Sequence, residues 1–246
     1  MNLPKDRPIL TWLLIAANIA VFEIVFSLPE KMFNLVFQMF YFSPTAATEV
    51  WRWFTGLFLQ ANPSHLFFNM LGLYFFGKAV EEEIGRKWYV AVYFASGLLG
   101  NLIYMSAYTE PAVGASAAVF GLLGAAMFLK PLRKTHIYVF PLPLGVIAII
   151  FAFFEGLMVS MQLQGPVANI AHVAGLLAGA VFAFFYSPKK ALKGVAILFV
   201  CVLLILVLSP FLFIITAIGG FILGLIEYIA GLLLYGGAGL LAVLWV

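Results

Sequence analysis

Charge is scarce in this 246-residue chain: Asp, Glu, Lys and Arg together make up 9% of it, against about 25% in an ordinary soluble domain. A soluble fold so poor in charge could not cover its own surface, so lipid must be its main solvent. There is one cysteine, Cys201, set in an apolar run. It excludes an internal disulfide and a multi-cysteine metal site, and reads as a packing or lipid-facing residue. No soluble domain, low-complexity linker or obvious repeat is visible. The formal net charge is only +3, and it calls for no nucleic acid.

Apolar residues supply 65% of the chain. Several runs reach the roughly 20 residues needed to cross a hydrocarbon core about 30 Å thick. Candidate spans cover residues 9–28, 63–80, 88–108, 114–130, 137–161 and 167–186. The tail after Lys193 is apolar to its end. Ser209-Pro210 and Gly219-Gly220 interrupt it, so it holds one further span or two. The expected fold is all-α: a polytopic membrane helix bundle with six spans in residues 1–190 and additional C-terminal spans in 191–246.

Eleven of the thirteen Lys and Arg fall on one side of these spans, leaving Lys31 and Arg52 on the other. The positive-inside rule then puts the N-terminus in the cytoplasm. The basic clusters are topology signals that meet anionic headgroups of the bilayer. The first run carries Asn18 and Glu23 and ends without a small-residue cleavage pattern, so it reads as an uncleaved signal anchor. Residues 29–61 lie on the outer side and are rich in aromatics. They are too apolar for a free loop and too interrupted to span, which fits an interfacial element.

Polar groups inside a bilayer are costly and therefore informative. Three clusters stand out. Gly114-Ala115-Ser116-Ala117-Ala118-Val119-Phe120-Gly121 opens the fourth span. From Gly114 to the cytoplasmic Lys130-Pro131 there is only about 24 Å of helix at 1.5 Å per residue. Such a helix begins below the outer surface and aims its free N–H groups and positive dipole end into the membrane. Ser116 sits in that first turn. Packing is the competing explanation, because Ala117, Gly121 and Ala125 form a small-residue stripe.

His172 lies in the sixth span, about as far from its outer turn at Gly165-Pro166 as Ser116 is from Pro111. The two can share one level. Gly175 and Gly179 form a GxxxG face on the His172 side, which lets the sixth helix approach the stripe of the fourth. His65 and Asn69, at i and i+4 near the start of the second span, share a face. They read either as interhelical glue or as oxyanion donors.

The set His65-x-x-x-Asn69, Gly114-x-Ser116 and Ala171-His172-x-x-Gly175-x-x-x-Gly179 resembles the rhomboid proteases. Trp51-Arg52 is similar to that family's first-loop tryptophan–arginine motif. The resemblance covers about residues 9–187. It implies a six-helix catalytic core within 1–190, with 29–61 as its first loop, and a serine endopeptidase acting on transmembrane protein substrates in the cell membrane without cofactor or metal. It implies Ser116 as nucleophile, His172 as base, and His65, Asn69 and the Ser116 N–H as oxyanion donors. Gly114, Gly121, Gly175, Gly179 and Phe120 would support the packing. It also implies substrate access by movement of the fifth span and the 162–167 loop. Ala117 stands where glycine is common in the family, and Phe120 where tyrosine often stacks on the histidine.

No third acid is placed to orient His172, since Glu81, Glu82 and Glu83 belong to the cytoplasmic side. Glu155, toward the outer end of the fifth span, and Glu227 have no assigned role, and His136 reads as solvated. Three competing readings are an inactive rhomboid-like binder, which typically lacks the Ser–His pair, a haem protein using His65 and His172, and a transporter built around the short helix.

Overall fold

The computed structural model describes residues 7–137, 140–161, 169–209 and 224–225. The chain divides into two compact units, residues 1–198 and 199–246. In the second unit the described residues are 199–209 and 224–225, all helical. Glu227 lies outside the described residues, as do the Gly165-Pro166 turn and the 162–167 loop.

Helices follow the apolar runs. They are α1 (Ile9–Phe26), α2 (Glu30–Phe40), α3 (Trp51–Thr55), α4 (Pro63–Gly72), α5 (Lys78–Met105), α6 (Ser116–Leu129), α7 (Leu144–Met161) and α8 (Asn169–Tyr186). A further helix, α9, is Pro188–Ser209. Among the described residues four helical segments are long and apolar enough to cross a membrane. A π-turn over Leu73–Gly77 joins α4 to α5. Within α5, Gly85 has φ 76° and ψ 167°. This left-handed backbone, open to glycine, breaks the element into the two expected spans.

The first loop forms α2 and α3 rather than a free strand. No residue of α2 is buried, and Met32, Leu35 and Met39 are each about half exposed, as an interfacial helix should be. A helix end leaves backbone carbonyls without intrahelical donors. Here α3 supplies them. The Arg52 guanidinium donates to the carbonyls of Gln38 and Tyr41, Trp51 Nε1 to Met39 (3.2 Å) and Thr55 Oγ1 to Phe40 (2.7 Å). Three side chains thus serve four consecutive carbonyls. Arg52 also pairs with Glu49 at 2.7 Å. The tryptophan–arginine pair therefore clasps the interfacial helix.

That clasped loop also holds the segment leading into α6. Phe42 and Ala112 exchange both backbone hydrogen bonds, at 3.0 and 2.9 Å, and the Gly114 N–H donates to the Gly56 carbonyl at 2.8 Å.

At the opposite end, three consecutive acids pin three separate elements. Glu81, 2% exposed, accepts from the Leu10 and Thr11 N–H groups (2.9 and 2.7 Å) and the Thr11 hydroxyl (2.8 Å). It caps the N-terminus of α1, where the helix dipole favours a carboxylate. Glu82 pairs with Arg133 at 2.5 Å. Glu83 pairs with Lys130 at 2.7 Å and with Lys190.

The fifth span corrects the sequence expectation. Ile137 and residues 140–143 are strand, not helix. Strands β1 (Lys134–Ile137) and β2 (Phe140–Pro143) form an antiparallel hairpin in which Lys134 pairs with Pro143 and Ile137 with Phe140. Pro141 and Pro143 lack N–H donors and would break a helix interior, so α7 starts only at Leu144.

Helix α6 is the most enclosed element, with ten of its fourteen residues buried. Its neighbours approach at backbone range because the contacts are glycines. A Cβ on Gly175 would lie 2.1 Å from the Ala117 carbonyl oxygen, and one on Gly179 would lie 1.8 Å from that of Gly121. A Cβ on Gly121 would in turn meet Ser96 Oγ of α5 at 2.1 Å. Both expected small-residue faces thus meet each other.

Candidate active site

Fourteen residues give α6 a length of about 21 Å, short of a hydrocarbon core of about 30 Å. Its N-terminus therefore opens inside the bundle. Its first bond to the preceding backbone runs from the Val119 N–H to the Ala115 carbonyl at 2.9 Å. The earlier N–H groups, that of Ser116 among them, are the donors a helix start leaves over.

Gly114 turns the chain into this helix with φ 125°. A Cβ there would lie 2.5 Å from Cε1 and 2.8 Å from Nε2 of His65, so the imidazole rests on the glycine Cα. The ring is oriented from its other side. Asn62 caps α4 by accepting the His65 N–H at 2.8 Å, and the Ala61 N–H donates to His65 Nδ1 at 3.2 Å. An amide N–H can only donate, so Nδ1 is the unprotonated nitrogen and the neutral ring carries its proton on Nε2. That Nε2–H lies beside Gly114.

His172 lies in the first turn of α8 and stacks on Phe120, with centroids 4.6 Å apart and planes 5° apart. Phe120 follows Ser116 by four residues, which puts both on one face of α6. The ring that holds the imidazole therefore stands one turn below the serine. Ser116, His172, His65 and Gly114 line one cavity of about 230 Å³, with Asn101 and Tyr104. Among the described residues no carboxylate lines it. The acids of the Gly85 turn are engaged elsewhere.

Asn69 shares a helix face with His65 yet does not line this cavity. It is 5% exposed and donates to Gln60 Oε1 at 2.8 Å. Gln60 Nε2 donates to Asn18 Oδ1 at 2.9 Å, and Asn18 Nδ2 to the Leu14 carbonyl at 2.9 Å. This chain ties α1 to α4 through a fully buried glutamine, 1% exposed. Gln60 also adjoins Ala61, whose N–H sets the His65 tautomer. Sequence reasoning passed over Gln60. Its available signal was a lone amide between Leu59 and Ala61, five residues before His65. Asn101 donates to the Trp53 carbonyl at 3.1 Å and braces the first loop. The side chain of Glu155 and that of His136 lie outside the described set.

Gln60→Ala removes an acceptor and a donor from this buried chain. The expected cost is about 1–3 kcal/mol, read as a lower unfolding temperature in detergent. If Gln60 also orients the site, kcat falls with little change in KM. Gln60→Glu, which keeps the acceptor for Asn69, should restore part of kcat.

Fold and site together define a helical membrane bundle with a serine at the buried start of a short helix. Comparison with known proteins agrees. Residues 47–189 match the family model described as the Rhomboid domain. The chain is 31% identical over 190 residues to YdcA of Bacillus subtilis (strain 168), whose name places it among rhomboid proteases; the match covers 74% of this chain and 90% of that protein. It is 30% identical over 179 residues to the rhomboid protease GlpG of Salmonella paratyphi A (strain ATCC 9150 / SARB42), covering 71% of this chain and 62% of GlpG. The chain belongs to the rhomboid family and is an integral membrane protein and intramembrane serine protease of that class.

Proposed function

We propose that the chain hydrolyses peptide bonds in or beside transmembrane segments of membrane-protein substrates, with Ser116 as nucleophile and His172 as general base. One arrangement supports this reading above the others. The His172 ring stacks on Phe120, one turn from Ser116, and both line the cavity that also receives His65.

In the acylation step His172 takes the Ser116 hydroxyl proton as Oγ bonds to the scissile carbonyl carbon. The C–N bond then breaks and the leaving amine receives that proton from His172. Water repeats the sequence on the acyl-enzyme and releases the carboxylate product. The oxyanion meets the Ser116 N–H, the dipole of α6 and the His65 Nε2–H. Asn69 lies off the cavity but has a second amide hydrogen beyond the one given to Gln60, and we assign it to the oxyanion once substrate binding turns the side chain toward Ser116. The serine and histidine work as a pair, and the stack on Phe120 orients the His172 ring.

A substrate helix about 10 Å across cannot enter a cavity of about 230 Å³. A transmembrane helix also hides its backbone in its own hydrogen bonds. The scissile stretch must therefore unwind, so small or helix-breaking residues near the cleaved bond should raise the rate. Residues 1–190 would form the catalytic core with 29–61 as its first loop, and 191–246 would add C-terminal spans. By charge placement the N-terminus lies in the cytoplasm and the site opens toward the outer face of the cell membrane.

A fluorophosphonate probe tests the nucleophile directly. Purified protein in detergent should gain one adduct, located at Ser116 by peptide mass, and lose cleavage of a fluorogenic transmembrane peptide in proportion. Labelling elsewhere with full loss of activity would overturn the assignment. For the oxyanion donors, His65→Ala is expected to lower kcat by about 10²–10³. Asn69→Ala should cost less, because Asn69 is already engaged by Gln60.

A further inference from the structure

The end of the bundle that carries the basic clusters holds a second cavity, of about 560 Å³. It is built by the last turn of α6, the turn that follows and the first turns of α9. Four cations line it: Lys130, Arg133, Lys190 and Lys193. The one carboxylate in its wall is Glu83. That carboxylate is shared, with Lys130 at 2.7 Å on one oxygen and Lys190 on the other. Glu82, outside the wall, engages Arg133 at 2.5 Å. Lys193 makes no ion pair among the described residues. Two carboxylates therefore face four cations, and the cavity keeps a net charge of +2.

Leu129, Leu132 and Ile197 add apolar wall beside the cations, with Leu132 59% exposed. Helix α9 lies close against α6 here: a Cβ on Gly194 would come 2.1 Å from the Phe128 carbonyl oxygen. Lys190 and Lys193, three residues apart, share the face of α9 that borders the cavity. Beyond them residues 195–208 are uninterruptedly apolar. The cations therefore sit at the level where water gives way to hydrocarbon.

We propose that this cavity binds the phosphodiester headgroup of an anionic membrane lipid, whose acyl chain runs along the apolar wall. A phosphodiester offsets the uncompensated positive charge, and Lys193 is the cation free to meet it without breaking an ion pair. A small soluble anion would satisfy the cations but leave the apolar wall wet. A phospholipid satisfies both, as basic pockets between transmembrane helices do for anionic headgroups.

Native mass spectrometry of the full chain, released from mixed micelles of phosphatidylglycerol and phosphatidylcholine, tests this. The wild type should retain one phosphatidylglycerol at least about fivefold over phosphatidylcholine. K193Q should lower that retention by about fivefold. K189Q, exposed on the same helix but outside the cavity, should leave it unchanged. Millimolar inorganic phosphate should not displace the lipid. Equal retention of the two lipids, or equal loss in K189Q and K193Q, would overturn the site. Displacement by inorganic phosphate would overturn the lipid in favour of a free anion. The lipid preference is measured on the wild type and stands independently of either variant.

Discussion

Ser116→Ala and His172→Ala are each expected to lower cleavage of a transmembrane substrate by at least about 10⁴-fold, with the double variant no worse than either single one. The non-additivity is the informative part. A nucleophile and its base act as one unit, so removing either removes the whole contribution. Independent residues would instead show losses that multiply. The comparison requires folded protein. Ser116→Ala deletes one hydroxyl from a half-buried position and should leave the unfolding temperature almost unchanged. His172→Ala also loses the stack on Phe120, worth about 0.5–1.5 kcal/mol. A single variant that keeps more than about a hundredth of wild-type activity would remove that residue from the chemistry.

Adding one methyl group should do comparable damage by a different route. Gly179→Ala places a Cβ 1.8 Å from the Gly121 carbonyl oxygen. The obstacle is backbone, so no side chain can swing aside, and α6 and α8 must part. The expected cost is about 3 kcal/mol, with cleavage falling as well, because Ser116 and His172 ride on the two helices being separated. Gly175→Ala, whose methyl would meet the Ala117 carbonyl oxygen at 2.1 Å, should behave alike. Leu177→Ala on the exposed side of α8, 58% exposed, is the control and should change stability by less than about 1 kcal/mol. Unfolding in detergent, followed alongside the cleavage rate, separates the cases. Wild-type stability and activity in Gly179→Ala would contradict the close approach.

The chain's local features were readable to different degrees. Among the described residues, five of the six core spans followed from run length alone, within a few residues. The left-handed Gly85 accounts for how two spans stay within one nearly continuous helical element. The start of the fifth span was misplaced by seven residues, since hydropathy does not distinguish strands such as Phe140–Pro143 from helix. Pro141 and Pro143 carried the warning. The acids at 81–83 read as three charges on the cytoplasmic side, yet between them they bind α1, the turn after α6 and α9. Glu81 reaches Thr11, 70 residues away, and Glu83 reaches Lys190, 107 away. No spacing rule predicts partners at that distance. The same holds for Gln60, whose contact with Asn18 spans 42 residues.

What the sequence by itself determined is what depends on one coordinate along the chain. Counting residues against the helical rise set the shortness of α6. The i, i+4 rule placed Phe120 under Ser116, and Gly175 and Gly179 on one face. Lysine and arginine placement marked the basic end. Only the tertiary structure decided which polar groups meet. It put His65 on Gly114 with its proton on Nε2, stacked His172 on Phe120, drew Asn69 away to Gln60 and used Trp51 and Arg52 to close α2. Those are hydrogen bonds and ring contacts between elements distant in sequence. Their partners depend on how the helices pack, and in this bundle packing is set by where a missing Cβ lets two backbones touch.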